Sequence, residues 1–156
     1  MKICLDPEFS QSNQQLARSL TVLAALGLEE AGFKPYLSAQ NFMNTLDRIN
    51  LINHLDVDCI ITFIITNFEN DWQRLRGFYP PGATRFGETI VRNLAEAVPT
   101  ALNEEAYPDT LVNHCGMPLL RLTKSPHVLV IANGIDVAPL ARGIVDGIKE
   151  YFKEDF

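Results

Sequence analysis

Two patterns of apolar and polar positions follow each other along the chain and predict strands and helices in turn. The run Cys59–Thr66, CIITFIIT, is apolar throughout and β-branched, as in a strand that is covered on both faces. Leu16, Leu20 and Leu23 recur at helical spacing, and Gly32 is a suitable stop for that helix. The predicted strands are Lys2–Leu5, Lys34–Leu37, Cys59–Thr66, Pro118–Leu122 and His127–Ala132. Four helices are predicted. The first begins at the capping-box pair Ser12 and Gln15 and stops at Gly32. The second covers Phe42–Leu55, the third covers about Thr84–Leu102, and the last begins after the cap Asp136 and runs to the last residues.

Strands that alternate with helices indicate an α/β layer fold, with any site at the carboxyl ends of the strands. The segment Asn67–Ala83 is predicted to be a loop, because it holds Trp72, Phe78, Tyr79 and the Pro80-Pro81 pair. No internal repeat, low-complexity tract or linker interrupts the sequence. Residues 1–156 are therefore expected to form one domain.

Composition narrows the class of protein. The 156 residues are 47% hydrophobic and 21% charged, which is ordinary for a soluble globular domain. The formal net charge of -6 argues against a general nucleic-acid binder, because such proteins carry Lys- and Arg-rich faces. The start MKICLDPEF does not fit a signal peptide, and no window is long enough for a membrane span. We therefore expect a cytoplasmic protein without membrane contact.

The cysteines give no metal or disulfide pattern. Cys4, Cys59 and Cys115 are an odd number, widely spaced, and no two of them form a CxxC pair. Cys4 and Cys59 lie in apolar runs that are predicted to be strands. We expect reduced, buried thiols and neither a disulfide nor a zinc knuckle.

An ordered set of short segments carries a family resemblance. The strand Lys2–Leu5 runs into Asp6-Pro7-Glu8-Phe9-Ser10, where the family has Asp-Pro-Gly-His-Gly. The further matches, in order, are Gly32-Phe33, Arg48, Ile52-Asn53, Val57-Asp58, Cys59–Ile64, Gly77-Phe78-Tyr79, Leu120-Arg121, Pro126–Val130 and the closing segment Gly147–Phe152. Together they resemble the type-3 N-acetylmuramoyl-L-alanine amidase domain over nearly the whole chain.

This resemblance implies a three-layer α/β fold with a mixed central sheet flanked by helices. It also implies a zinc-dependent hydrolase that cleaves the bond between N-acetylmuramic acid and L-alanine. In such a site a His, a Glu and a second His hold zinc and leave a position open for water. A further Glu after the late strand handles the proton.

The positions that correspond to these four side chains carry no zinc ligand or acid here. The first His falls on Phe9, and the Glu falls within Asn13–Gln15, at Gln14. The second His falls on Ile64, and the catalytic Glu falls on Ile131. We therefore expect no zinc cofactor and no catalytic residue of the family type. Hydrocarbon at three of the four positions suggests a former metal pocket that is packed and dry.

A shifted alignment does not restore the ligands. No Asp, Glu or His lies between Phe9 and Leu28, and no His lies between His54 and His114. No acid lies between Asp109 and Asp136. The alternative is that these positions never were ligands and that the family match is false.

Other ionisable residues have simple structural interpretations. His54 lies at the end of a predicted helix, where a histidine interacts favourably with the helix dipole. His114 and Cys115 are the most suggestive pair for a thiol nucleophile, but adjacent side chains usually diverge. His127 is expected to flank a strand.

Two groups of residues are candidates for ligand binding. In the first group, Asp6 and Glu8 could lie at the mouth of the former pocket with Asn67 and Asn133 and bind a hard cation. The alternative is that Asp6 is simply part of an Asp-Pro turn that ends the strand.

The second group, Trp72, Arg76 and Tyr79, could form a platform for a sugar or peptide, or could anchor a loop onto the body of the domain.

The expected function is that of a catalytically inactive amidase homologue which acts as a binding, structural or regulatory module. Its partners would be peptidoglycan fragments or another protein, and an oligomer is possible. One alternative is a diverged cell-wall amide hydrolase with relocated metal ligands. Another is a domain unrelated to cell walls that associates with itself through an apolar patch.

Overall fold

A mixed β-sheet forms the centre of the molecule. The computed structural model describes residues 1–38, 43–68, 73–98, 102–103, 107–108 and 118–153. The strands are β1 (Lys2–Pro7), β2 (Lys34–Leu37), β3 (Cys59–Thr66), β4 (Arg74–Tyr79), β5 (Leu102–Asn103), β6 (Tyr107–Pro108) and β7 (His127–Asn133). The helices are α1 (Gln14–Glu30), α2 (Thr45–Leu55), α3 (Thr84–Ala97), α4 (Pro118–Leu122) and α5 (Val137–Phe152).

The strand order is β2-β1-β3-β7-β4-β5, and β6 also pairs with β4. Strands β2, β1, β3 and β7 are parallel to one another, and β4 is antiparallel to β7. Helices cover both faces of this sheet, so the predicted three-layer α/β fold with a mixed central sheet is confirmed.

Each face of the sheet has its own core. Residues at alternate positions of β1, Ile3 and Leu5, belong to the larger core under α1, α3 and α5. The next position, Cys4, belongs to a smaller core with Ile49 and Ile52 of α2. Alternate positions of β1, β3 and β7 therefore divide into a face under the long helices and a face under α2 and α4.

Helix α1 begins one residue later than the predicted capping box. Asn13 is the cap, and its side-chain oxygen accepts a hydrogen bond from Leu16 N at 3.1 Å. Ser12 instead accepts a hydrogen bond from Ile65 N at 3.1 Å, which ties the start of α1 to the end of β3. Leu20 is buried as predicted, whereas Leu23 is 40% exposed.

Two of the predicted elements are wrong. The predicted loop Asn67–Ala83 contains strand β4, in which buried Leu75 alternates with Arg74 and Arg76. The predicted strand Pro118–Leu122 is a short helix, because Pro at the first helical position fixes a helical φ.

The helix predicted over Thr84–Leu102 ends at Ala97, and Leu102 lies in β5. The predicted helix Phe42–Leu55 begins at Thr45, and Phe42 lies outside the described residues. In the described part of the chain, none of the helices combines the length and the apolar character that a bilayer crossing requires.

Candidate functional site at the carboxyl edge of the sheet

The parallel strands β1, β3 and β7 end at one edge of the sheet, in Pro7, Thr66 and Asn133. Strand β4 runs the other way, so its first residue, Arg74, lies at the same edge, opposite Asn133. Because parallel strands deliver their last side chains to one edge, this is where the fold places a site.

Ile64 and Ile131, which replace a metal ligand and the catalytic acid in the family resemblance, lie side by side. They are direct partners in the β3–β7 register. Ile64 is 6% exposed and packs in an apolar cluster with Phe78, Leu120 and Leu129, against which Ile131 also packs. Hydrocarbon side chains cannot coordinate a metal, so these two positions do not fit zinc.

The other two positions do not belong to this cluster. Phe9 is buried in the larger core under α1 and α5, with the Arg18 guanidinium 5.3 Å from the centre of its ring. Gln14 is exposed at the first residue of α1. Ile64 and Ile131 thus share one apolar cluster, whereas Phe9 belongs to the main core.

Asp6 and Glu8 are engaged by an arginine and do not line an open mouth. Asp6 is 0% exposed, and Arg48 binds both of its carboxylate oxygens, with Nη2–Oδ2 at 2.7 Å and Nε–Oδ1 at 3.2 Å. Arg48 also pairs with Glu8, and Ser38 donates a hydrogen bond to Asp6. Their oxygens are therefore committed to protein donors, which is a correction to the predicted cation site.

The Glu8 carboxyl is held in its ionised form. Partial burial by itself raises the pKa of Glu8, but hydrogen bonds from Ser10 and Arg48 and the charge of Arg48 outweigh it. The pKa of Glu8 therefore lies below its usual range. The Arg48 guanidinium lies between the Asp6 and Glu8 carboxylates. Burial alone would lower the pKa of Arg48, but these two negative charges hold that pKa above its ordinary value.

A buried chain of hydrogen bonds continues from Asp6 across the sheet. The Thr62 hydroxyl donates to Asp6 Oδ2 at 2.5 Å and lies 2.6 Å from His127 Nε2. His127 Nδ1 is 2.8 Å from the Thr123 hydroxyl. The Thr62 and Thr123 hydroxyls thus contact the two ring nitrogens of His127, one each.

His127 was predicted to flank a strand, and it is the first residue of β7 and a neutral, fully buried histidine. It is 0% exposed. Burial lowers the pKa of His127 to about 4, and the nearby Asp6 carboxylate opposes this only in part. With both ring nitrogens engaged by hydroxyls, this side chain is unavailable to a ligand.

A small cavity of about 210 Å³ opens at the carboxyl edge of the sheet, beside Ile131. Asn133 Oδ1 accepts hydrogen bonds from the Thr66 hydroxyl at 2.7 Å and from Phe68 N at 3.0 Å. Across the β4–β7 register, Arg74 pairs with Asn133 and Arg76 pairs with Ile131. The lining consists of Thr66, Phe68, Arg74, Arg76, Ile131 and Asn133.

The structure brings together part of the predicted binding set. Arg76 and Asn133 line the cavity, and Asn67 is an exposed residue directly after Thr66. Tyr79 lies at the far end of β4 with only 5% of its surface exposed, so it does not share a platform with Arg76. Trp72 lies outside the described residues.

Sequence reasoning missed Arg74, which lines the cavity with Arg76. An arginine at every second position, followed by Gly77 and Phe78, is a strand signal, but the loop assignment obscured it. It also missed Thr62, because a threonine in an apolar run gives no sign of a buried polar partner, and Thr123, because it lies in a polar segment that gives no sign of burial.

Cysteines and possible metal ligands also lie elsewhere in the described part of the chain. Cys4 and Cys59 are free and buried, as predicted, and burial raises the pKa of both thiols. Within the described ranges, no three His, Cys, Asp or Glu side chains converge as metal ligands would. His114 and Cys115 lie outside those ranges.

A larger groove of about 1160 Å³ lies at the opposite end of the strands, where the chain passes from the end of α1 into β2. Its lining includes Phe33, Arg85, Arg92 and Lys149, and Arg92 forms an ion pair with Glu150 there. It is therefore separate from the carboxyl edge, and its size alone does not indicate chemistry.

Known structures share this fold over nearly the whole chain. The N-acetylmuramoyl-L-alanine amidase AmiC2 of Nostoc punctiforme matches with a TM-score of 0.82 at 14% identity, over 98% of this chain and 97% of that one. The CwlD amidase of Clostridioides difficile, in complex with the GerS lipoprotein, matches with a TM-score of 0.79 at 16% identity over 99% of each chain.

The catalytic domain of the CD27L endolysin, which targets Clostridia difficile, matches with a TM-score of 0.75 at 18% identity, over 96% of this chain and 97% of that one. No protein-family profile matches the sequence, and no curated protein sequence matches it. The likeness is therefore one of fold.

Proposed function

Since the chain has the fold of N-acetylmuramoyl-L-alanine amidases, we propose that it is a catalytically inactive homologue that binds a ligand at the carboxyl edge of its sheet. The observation that carries this proposal is the pairing of Ile64 with Ile131 in adjacent strands. An amidase of this fold would need a metal ligand and an acid at these positions. Fold alone does not supply an activity, and two hydrocarbon side chains supply neither group.

The cavity beside Ile131 supports an anionic ligand. Arg74 and Arg76 line it together with Asn133, and none of the lining residues that the structure describes is acidic. Guanidinium groups bind carboxylates through charge-assisted hydrogen bonds. Since the structural neighbours are amidases of muramoyl-alanine bonds, the ligand proposed here is a carboxylate-bearing peptidoglycan fragment.

The first experiment measures metal content and lytic activity together. Protein purified without chelator is expected to hold no stoichiometric zinc and to release no peptide from purified peptidoglycan. Zinc at one equivalent together with lytic activity would overturn the proposal and establish a hydrolase with relocated ligands.

The second experiment measures binding of soluble muropeptides by calorimetry. The double variant Arg74→Gln/Arg76→Gln is expected to bind at least about tenfold more weakly, because each charge-assisted hydrogen bond contributes about 1.5–3 kcal/mol. Arg85→Gln, in the groove at the opposite end of the strands, is the matched control and should bind as the wild type does. Equal losses in both proteins, or no binding by the wild type, would contradict the proposed site.

A further inference from the structure

The outward face of α1 is apolar at its centre. Val22 is 57% exposed and Leu26 is 53% exposed, and they are four residues apart, one turn above the other. The buried face of the same helix, which includes Ala17, Ala24 and Leu28, points the other way into the core. The exposed stripe formed by Val22 and Leu26 therefore does not contribute to the hydrophobic core of this chain.

The apolar surface is broader than one stripe. Leu23 is 40% exposed on the flank of α1 that faces α5. It lines a groove of about 440 Å³ between the two helices with Ala138, Ala141 and Val145 of α5. Val22, Leu23 and Leu26 together form what we call the α1 patch.

The charges around the α1 patch are arranged symmetrically about its centre. Arg18 lies six residues before Ala24, and Glu30 lies six residues after it, next to Glu29. All three charged side chains are exposed. Val22 and Leu26 lie two residues on either side of the same point. The helix thus carries a cation at one end of its apolar stripe and two carboxylates at the other.

Such a helix is complementary to an antiparallel copy of itself. In a two-fold arrangement centred on Ala24, Val22 meets Leu26 of the second copy, and Arg18 lies beside Glu29 and Glu30 of that copy. A parallel arrangement would instead place like charges together. The favourable pairing occurs twice, once at each end of the stripe.

We propose that the α1 patch is the interface of a homodimer in which the two α1 helices pack antiparallel. The partner at this surface is a second copy of the same chain. A two-fold rotation brings apolar positions of one α1 helix onto apolar positions of the other, and the cation of one onto the carboxylates of the other. The carboxyl-edge cavity is lined by β3, β4 and β7, so each copy keeps its own cavity in this dimer.

The test is the solution mass of the full chain as a function of concentration, measured by sedimentation equilibrium. Wild-type protein is expected to associate to a dimer. Leu26→Lys is expected to raise the dissociation constant by at least about tenfold, because it replaces an apolar contact by a charge that must lose its water on association. Leu46→Lys on α2, where the native leucine is 62% exposed, is the matched control and should leave the dissociation constant unchanged.

Charge exchange tests the antiparallel arrangement specifically. Arg18→Glu alone should weaken the dimer, because it places carboxylates beside Glu29 and Glu30. The triple variant Arg18→Glu/Glu29→Arg/Glu30→Arg should restore it. A wild type that stays monomeric up to its solubility limit would overturn the proposal, as would an equal effect of Leu46→Lys or a triple variant as weak as Arg18→Glu.

Discussion

At the scale of single residues, the Asp6–Arg48 pair sets the chemistry of the sheet face under α2. The carboxylate is fully buried, and both its oxygens receive hydrogen bonds from the same guanidinium. A buried charge without its partner is expensive, whereas a buried pair with complete hydrogen bonding is tolerated. Asp6 therefore serves the fold and not a ligand.

Arg48→Met is expected to lower the free energy of unfolding by about 3–5 kcal/mol, because it leaves the Asp6 carboxylate buried and unpaired. Urea unfolding at neutral pH measures this change. Arg92→Met removes an ion pair whose side chains are 52% and 47% exposed and should lower the free energy of unfolding far less, because solvent screens this pair. Similar losses of unfolding free energy in the two variants would show that the buried ion pair stabilises the protein no more than the surface ion pair does.

At the scale of elements, β4 and α3 approach each other through a glycine. A Cβ atom at Gly77 would lie 2.0 Å from Cγ2 of Val91 on α3, a distance at which the helix or the side chain must move. Close packing of β4 against α3 thus depends on the absence of a side chain at this position.

Gly77→Ala is therefore expected to destabilise the protein by about 1–3 kcal/mol through overpacking. Combining it with Val91→Ala removes the clash, so the double variant should lose less stability than the sum of the two single variants. Denaturant unfolding of all four proteins measures this coupling. Additive losses would mean that the contact does not limit how closely the strand and helix pack.

The same elements show which parts of the fold the sequence predicts. Cys59–Thr66 was predicted with its observed bounds, because a run buried on both faces leaves a continuous apolar signal. Strand β4 was not predicted, because one of its faces carries Arg74 and Arg76 and resembles a polar loop. Pro118–Leu122 was assigned to the wrong class, since a short apolar run has no period of its own.

For the candidate site, the family resemblance pointed to Ile64 and Ile131, which the structure places side by side. It did not predict that Phe9 belongs to the main core, since the direction of a side chain after a strand depends on the turn that follows. The buried partners of His127 were not predicted either, because Thr62 comes from a distant strand and Thr123, four residues before His127, carries no sequence signal of burial.

At the scale of the whole molecule, the buried His127 makes stability depend on pH. Its pKa is about 4 in the folded protein and near 6.5 when exposed. The unfolded chain therefore binds more protons between these values, and stability falls as the pH drops from 6.5 towards 4. Glu8, with its pKa below the usual range, adds a further loss at the acidic end of this window.

The free energy of unfolding is expected to decrease by about 3 kcal/mol between pH 7 and pH 4 on account of His127. His127→Gln, which cannot titrate, should flatten the slope between pH 6.5 and 5. His54→Gln, at an exposed position near the end of α2, is the control and should keep the wild-type slope. An unchanged slope in His127→Gln would assign the acid sensitivity to other groups.

The in-register pair Ile64 and Ile131 also restricts how this chain could gain a zinc hydrolase activity. Ile64→His or Ile131→Glu alone would place an ionisable group against Phe78, Leu120 and Leu129 with no metal to engage it. Burying an unpaired polar group costs about 1–3 kcal/mol or more, and a single ligand does not repay that by binding metal. Either substitution made alone is therefore expected to give a protein less stable than the present one.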